Sequence, residues 1–304
     1  MLTPLDQVTI NFSTDALWGL NIALALVMYG VAMDISPSDF KQLLFRPKPI
    51  IVGLLSQFIL LPLVTFMLIW ILKPSPSIAL GMILVAACPG GNISNFMTHL
   101  AGGNNALSVS LTAFATVLAI FFVPFNLELW GGMYPPTATL LKKVALHPMD
   151  IFWTIVFLLI VPLIFGMLTR YYAMRFVLKV APYFKVGSIF VFVLLVILAF
   201  INNLEIFFSY IHYVFALVLV HNALAVFSGF SIAKLTGLST RNTKTIAIET
   251  GIQNSGLGLL LIFTFFEGLG GMALVTAFWG IWHIFSGLLL AYIWSRSEAK
   301  KIPI

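Results

Sequence analysis

One cysteine, Cys88, is all the chain has, which excludes an intrachain disulfide and a thiolate metal cluster and leaves the redox compartment unmarked. Buried free cysteines behave as small apolar fillers, and Cys88 is read as one. Charge is scarce too: Asp, Glu, Lys and Arg make up 9% of the 304 residues, against about 25% in an ordinary soluble domain. That excludes a soluble globular fold. The formal charge of +6 does not point to nucleic acid, because no basic block with interleaved aromatics occurs. The lysines and arginines lie beside apolar runs, as membrane topology explains. The first fourteen residues hold no Lys or Arg, so the positive n-region of a signal peptide is missing and the first apolar run is expected to be retained. No metal-spaced His/Glu pair and no nucleophile–base motif occurs, which counts against an enzyme.

What is present is apolar length. Residues are 61% hydrophobic, and charged residues fence off runs long enough to cross a bilayer. Ala16–Met33 is the first run and Pro49–Leu72 the second. Between them, Ser36-Pro37-Ser38-Asp39 offers an N-cap and a proline at the first helical position, predicting a short surface helix through Phe45. No Asp, Glu, Lys or Arg occurs between Lys73 and Glu128, a stretch about twice one span, so a turn must lie within it. Ala101-Gly102-Gly103-Asn104-Asn105 supplies that turn, giving spans over 77–99 and 105–129. Gly131-Gly132 through Pro135-Pro136 opens a loop over 131–148, in which Thr137–Leu146 is expected to lie along the interface with Lys142 and Lys143 snorkelling. Ile151–Thr169, within 149–170, is span five. Val186–Leu204, Ile206–Ala233, Thr245–Phe266 and Gly268–Ser295 complete an all-α membrane protein of nine transmembrane helices.

With residues 1–14 outside and the tail 296–304 in the cytoplasm, every Lys and Arg except Lys73, Lys142 and Lys143 falls on the cytoplasmic side. The positive-inside rule therefore selects this orientation, in a cell (inner) membrane. Trp18, Trp130 and Trp294, near span ends, read as interfacial anchors.

Two spans carry polar interruptions. Cys88-Pro89-Gly90-Gly91-Asn92-Ile93-Ser94-Asn95 weakens the third, and Glu249 through Gly256 sets a carboxylate, two amides and hydroxyls in the eighth, 241–266. A charge near mid-membrane costs roughly 2.5–3.5 kcal/mol on insertion scales, so Glu249 must face a partner, an ion or a wet cavity. Spans one to four (15–130) and six to nine (183–295) share one order, each with its third member broken. Corresponding spans lie five apart, an odd offset, so the repeats are inverted around the unpaired span five. Broken spans at matching positions point to a transporter site at a repeat interface.

The groups near the breaks are nearly all oxygen donors: Ser94, Asn95, Ser108, Thr112, Glu249, Thr250, Gln253 and Asn254, with Gln57 on span two. Such ligands suit a hard cation rather than zinc or copper. One carboxylate among neutral oxygens suits a monovalent ion better than calcium. For Ser108 and Thr112, four apart on one helical face, the plain alternative is interhelical hydrogen bonding. His221 and His283 also lie in spans, either as packed side chains or as proton relays.

These residues resemble the bile acid:sodium symporter family, which includes the hepatic and ileal bile-acid carriers and bacterial homologues. The carriers of the resemblance are Pro37-Ser38-Asp39-Phe40, Cys88-Pro89-Gly90-Gly91 with Ser94-Asn95, Gly103 through Ser108, His221-Asn222, and Glu249 through Gly256. The resemblance implies a panel and a core whose two discontinuous helices cross. It implies a first sodium held by Ser94, Asn95, Ser108, Thr112 and Glu249. A second would be held by Gln57, Glu249 and Gln253 with the carbonyls of Thr250 and Ile252. Asn95 and Asn254 would face the substrate. Two departures stand out. Many bacterial members have ten spans and this chain starts at their second, leaving the panel one helix short; and Ile284, in Trp282-His283-Ile284-Phe285-Ser286-Gly287, stands where relatives often carry Asn. The expected activity is import of an organic anion, bile-acid-like or a smaller carboxylate, with two sodium ions by alternating access. Spans one, five and six would form the panel. The bilayer, sodium and the anion are the implied partners; no nucleic acid or obligatory protein partner is. A proton-coupled organic-acid carrier is the rival within transport, and an intramembrane enzyme using Glu249 with His221 or His283 the rival outside it.

Overall fold

Most helices start where the sequence supplies a cap or a proline. In the computed structural model, which describes residues 4–10, 13–33, 47–144, 147–201 and 203–299, Ser13 Oγ accepts from the amide of Ala16 at the start of α1 (Thr14–Ala32). Pro49 sits in the first turn of α2 (Lys48–Leu72). The expected surface helix after Ser36 lies outside the described residues. Lys73, in a left-handed conformation (φ 48°), ends α2. The third apolar run is two helices, α3 (Pro76–Ala87) and α4 (Ile93–Leu100). Asn104 Oδ1 caps α5 (Asn105–Met133) by accepting from Leu107 N. After the short α6 (Pro135–Val144) come α7 (Pro148–Tyr172), α8 (Met174–Ile201) and α9 (Leu204–Leu235). The polar run at Glu249 also divides its span, into α10 (Thr240–Gly251) and α11 (Ser255–Phe265), before α12 (Gly270–Ala299).

Among the described residues there is no strand, and six helices are long and apolar enough to cross a membrane: α1, α2, α5, α7, α9 and α12. The half-length α3 and α11 are apolar as well.

One expectation fails locally. The Gly131-Gly132 pair does not open a loop; α5 runs through both glycines to Met133, and Tyr134 alone separates it from α6. Proline at a helix start lacks only an N–H that would have no partner there. Thr137 then ties α6 back, donating to the carbonyls of Gly131 (2.6 Å) and Tyr134 (2.9 Å). Trp130 is half-buried, and its indole N–H reaches Asn126 Oδ1 at 2.8 Å rather than the surroundings.

Both α2 and α7 contain one π-helical turn, Ser56–Leu60 and Val156–Ile160, each followed one residue later by a proline, Pro62 or Pro162. Proline offers no N–H, and the widened turn, with Leu61 N–H donating to Ser56 O and Val161 N–H to Val156 O, absorbs the lost bond. In α2 that turn carries Gln57.

All twelve residues of α3 are buried, as is α11 from Ser255 to Ile262. These two half-helices form the centre, with α2, α5 and α12 packed on them and α9 packed on α2, α10 and α12, while α1, α7 and α8 pack on one another beside that group. Apolar surroundings give no hydrophobic drive between helices, so close approach of small residues must supply the contact. A methyl group on Gly166 of α7 would lie 2.6 Å from Tyr29 O of α1, and one on Gly229 of α9 2.9 Å from Ile246 O of α10.

At one end of the bundle the segment before α1 straps the centre. Asp6 accepts from the Ser77 amide at the start of α3 (2.8 Å), and Val8 and Ile10 exchange backbone hydrogen bonds with Gly270 and Gly268. The opposite end joins α4 to α10. The buried Lys244 donates to Ala101 O (2.9 Å), Arg241 to Gly103 O (3.2 Å) and Asn104 Nδ2 to Asn242 Oδ1 (2.9 Å). Cations at the last carbonyls of α4 complement its dipole.

Candidate functional site

The two helix breaks cross midway between those ends. Gly91 N–H donates to Ile252 O at 2.7 Å and Asn254 N–H to Pro89 O at 2.8 Å, an antiparallel pairing centred on Gly90 and Gln253. Backbone groups freed by unwinding each segment are thus satisfied by the other, as apolar surroundings require. Asn222 of α9 covers one more, donating from Nδ2 to the Gly251 carbonyl (2.7 Å). Only glycine permits such closeness: a Cβ on Gly91 would stand 2.9 Å from Gln253 O.

The crossing sets Glu249, at the end of α10, against α4 and α5. Ser94 donates to Glu249 Oε1 at 2.6 Å, Ser108 donates to the same oxygen, and Thr112 lies 3.2 Å from Oε2 and 3.4 Å from Oε1. Thr112 also reaches Asn95 Oδ1 at 3.5 Å. Ser94, Ser108, Thr112 and Glu249 are buried, and Asn95 is half-buried. The five residues expected to form one ion station are therefore in one place.

The second group lies across the carboxylate. A methyl group on Gly90 would sit 2.8 Å from Glu249 Oε2 and 3.1 Å from Gln57 Nε2, so the glycine leaves both side chains room on one side of the crossing. Gln57 Nε2 donates to Gln253 Oε1 (3.4 Å), and Gln253 Nε2 donates to the Thr250 carbonyl (2.8 Å). The Ile252 carbonyl accepts from Gly91 and keeps its second lone pair. The Thr250 hydroxyl donates to the Ile246 carbonyl (2.8 Å) and accepts from Ser56 Oγ (2.8 Å). Asn254, half-buried, spends its Oδ1 capping α11 at Leu257 N (3.0 Å).

Among the described residues the hydrogen-bond partners of Glu249 are hydroxyls, with no cation. A buried ionised carboxylate in this setting calls for a positive partner. The donors offered are carboxylate, hydroxyl, amide and carbonyl oxygens, a set for a hard cation. No group of three His, Cys, Asp or Glu that would hold a transition metal occurs among the described residues. The histidines stand apart from the carboxylate: His221 pairs with Thr65 Oγ1 (2.7 Å) and packs edge-on against Trp279, and His283 is buried on α12. Cys88 is free and buried in the main core.

Sequence reasoning missed Thr98, Ser56 and the Asn222 contact with the break. Thr98 follows Ser94 by four, the spacing already noticed for Ser108 and Thr112, and Ser56 precedes Gln57 on the widened turn.

The chain has counterparts in sequence among known proteins. Residues 21–210 match the profile of the Sodium Bile acid symporter family. The chain belongs to that family. Over 282 residues, 93% of this chain and 84% of the other, it is 34% identical to the uncharacterized sodium-dependent transporter YocS of Bacillus subtilis (strain 168). It is 32% identical over 285 residues to a probable sodium/metabolite cotransporter, the chloroplastic BASS1 of Arabidopsis thaliana, covering 92% of this chain and 68% of that protein. A sodium-dependent organic anion transporter of Mus musculus is 30% identical over 289 residues, 92% of this chain and 74% of that protein. These relatives are transporters, not enzymes, and membership places this chain with them.

Proposed function

We propose that the chain is a sodium-coupled symporter that imports an organic anion by alternating access. The observation that carries this is the position of Glu249, one carboxylate bonded by Ser94, Ser108 and Thr112, with Gln57, bonded to Gln253, beside the same Gly90 as its Oε2. Two stations with one common anionic ligand hold two sodium ions, and filling either lowers the cost of ordering the other. The first uses the hydroxyls and Asn95. The second uses Gln57, Gln253 and the carbonyls of Thr250 and Ile252. Gln253 Oε1 and the Thr250 carbonyl each accept one amide hydrogen bond, from Gln57 Nε2 and Gln253 Nε2, and each keeps a second lone pair for the ion.

Nine spans cross the membrane, with residues 1–14 outside and the tail inside. The Asp6 strap marks the outer end and the Lys244 joint the inner one. Spans one to four and six to nine are inverted repeats, and α1, α7 and α8 form the panel against which the remaining core moves. The half-buried Asn95 and Asn254 meet the substrate where the breaks cross. An organic anion as its class is supported by the names of the family and of two relatives, which mention bile acid, metabolite and organic anion.

The test is uptake into proteoliposomes under an inward sodium gradient, run over labelled bile acids, small carboxylates and sulfonates with choline or an inward proton gradient as replacements. Accumulation of an anion that needs sodium supports the reading; accumulation driven equally by protons in choline overturns it.

A further inference from the structure

Ser94, Ser108 and Thr112 place their hydroxyls on Glu249, yet one more buried hydroxyl stands behind them. Thr98 is fully buried on α4, one turn after Ser94, while Phe96 and Leu100 on other faces of that short helix are exposed. Its Oγ1 lies 3.2 Å from Ser108 Oγ. Ser108 therefore has two acceptors within reach, Glu249 Oε1 and Thr98 Oγ1, for a hydroxyl with a single proton.

That arithmetic matters when a cation arrives. An ion held by Glu249 and by the Ser108 oxygen needs their lone pairs, and a hydroxyl proton still aimed at the carboxylate occupies the oxygen the ion requires. We infer that Thr98 is a positioning residue for the first sodium station, its Oγ1 accepting the Ser108 hydrogen bond as the ion binds so that Ser108 and Glu249 both turn lone pairs to it. The inference rests on the sodium reading above. The rest of Thr98 has a different task. Its carbonyl accepts from Gly103 N–H (2.9 Å), and its γ-methyl packs where a methyl on Gly103 would come within 2.7 Å, holding the turn between α4 and α5. Hydroxyl and methyl thus face separate duties, and separate substitutions divide them.

Thr98→Val keeps the methyl and removes the acceptor; Thr98→Ser keeps the acceptor and removes the methyl. Sodium titrations of uptake in proteoliposomes are expected to show a rise in the half-saturating sodium concentration of about threefold to tenfold for Thr98→Val, the size that loss of one hydrogen bond carries. Maximal rate at saturating sodium should stay within about twofold, and Thr98→Ser should restore the wild-type titration. A wild-type titration for Thr98→Val, or a Thr98→Ser variant as weak as Thr98→Val, overturns the inference. If Thr98→Val does not fold, Thr98→Ala takes its place against Thr98→Ser, read by sodium-dependent thermal stabilisation in detergent with the same two outcomes. Glu249→Gln is measured alongside. Sodium dependence surviving in Glu249→Gln means the ion-site reading itself has failed; its loss, with Thr98→Val unchanged, means only the role of Thr98 has.

Discussion

At the scale of single residues the site turns on one charge among neutral oxygens. Glu249→Gln preserves the shape of the side chain and its place beside Ser94 and Ser108 but removes the charge both ions share. Sodium-driven uptake should fall at least tenfold with the protein still monodisperse in detergent, a loss of roughly 1.4 kcal/mol or more in transition-state stabilisation. Uptake at the wild-type rate would show that the carboxylate is not a ligand. Gln57 reaches only the second group, so Gln57→Ala should weaken one ion and flatten the sodium dependence toward a Hill slope of one. An unchanged slope would separate Gln57 from the coupling ions. Most of these side chains were legible in the sequence because a charge or amide inside an apolar run demands a partner. Thr98 was not: a hydroxyl on a membrane helix usually bonds its own backbone or a neighbouring helix, and only its contact with Ser108 distinguishes it. Lys244, counted in the sequence only among the cytoplasmic basic residues, is buried and folds inward to the Ala101 carbonyl.

Elements carry the next layer. Both helix breaks were readable from Pro89-Gly90-Gly91 and from the polar run at Glu249, since each weakens or interrupts a helix where apolar surroundings favour a continuous one. The pairing between them was not, because Gly91–Ile252 and Pro89–Asn254 are backbone contacts between segments far apart in the chain. Gly91→Ala tests that pairing. Its new methyl group would press on Gln253 O at 2.9 Å, so the variant should lose about 1–3 kcal/mol of stability, the usual cost of overpacking. A thermal unfolding midpoint equal to the wild type would mean that the two breaks do not meet so closely. The widened turn in α2 lay beyond sequence reading for a different reason. Pro62 announces a disturbed helix, but not that a π turn will absorb it and present Ser56 and Gln57 to Thr250 and Gln253. The Gly131-Gly132-Met133-Tyr134-Pro135-Pro136 run erred in the opposite direction: its turn residues suggested a loop, and helical structure fills nearly all of it.

At the scale of the whole molecule, charge must balance as the parts move. The proposed cargo is a monovalent anion, and among the described residues Glu249 is the one fixed charge at the crossing. Two sodium ions neutralise both, whereas a single sodium leaves a net negative charge in a low-dielectric cavity, at a cost of several kcal/mol. If Glu249 stays ionised on the return, each cycle carries one net positive charge inward. Uptake of a monovalent anion should then be driven by an inside-negative potential, by roughly 2.3 kcal/mol per 100 mV. Proteoliposomes with equal sodium on both sides and a potassium–valinomycin potential measure this; uptake indifferent to the sign of the potential contradicts the two-ion stoichiometry or the permanent ionisation of Glu249. The most direct test of the central claim needs no substrate at all. Sodium that binds the folded protein at Glu249 must stabilise it, by roughly 1.4 kcal/mol per site when its concentration is about ten times the dissociation constant. Thermal unfolding in detergent, titrated with sodium against choline at constant ionic strength, should show the midpoint of the wild type rising with sodium and that of Glu249→Gln standing still. An equal rise in both proteins would contradict the account, because sodium would then be binding somewhere other than at the carboxylate where the two breaks cross.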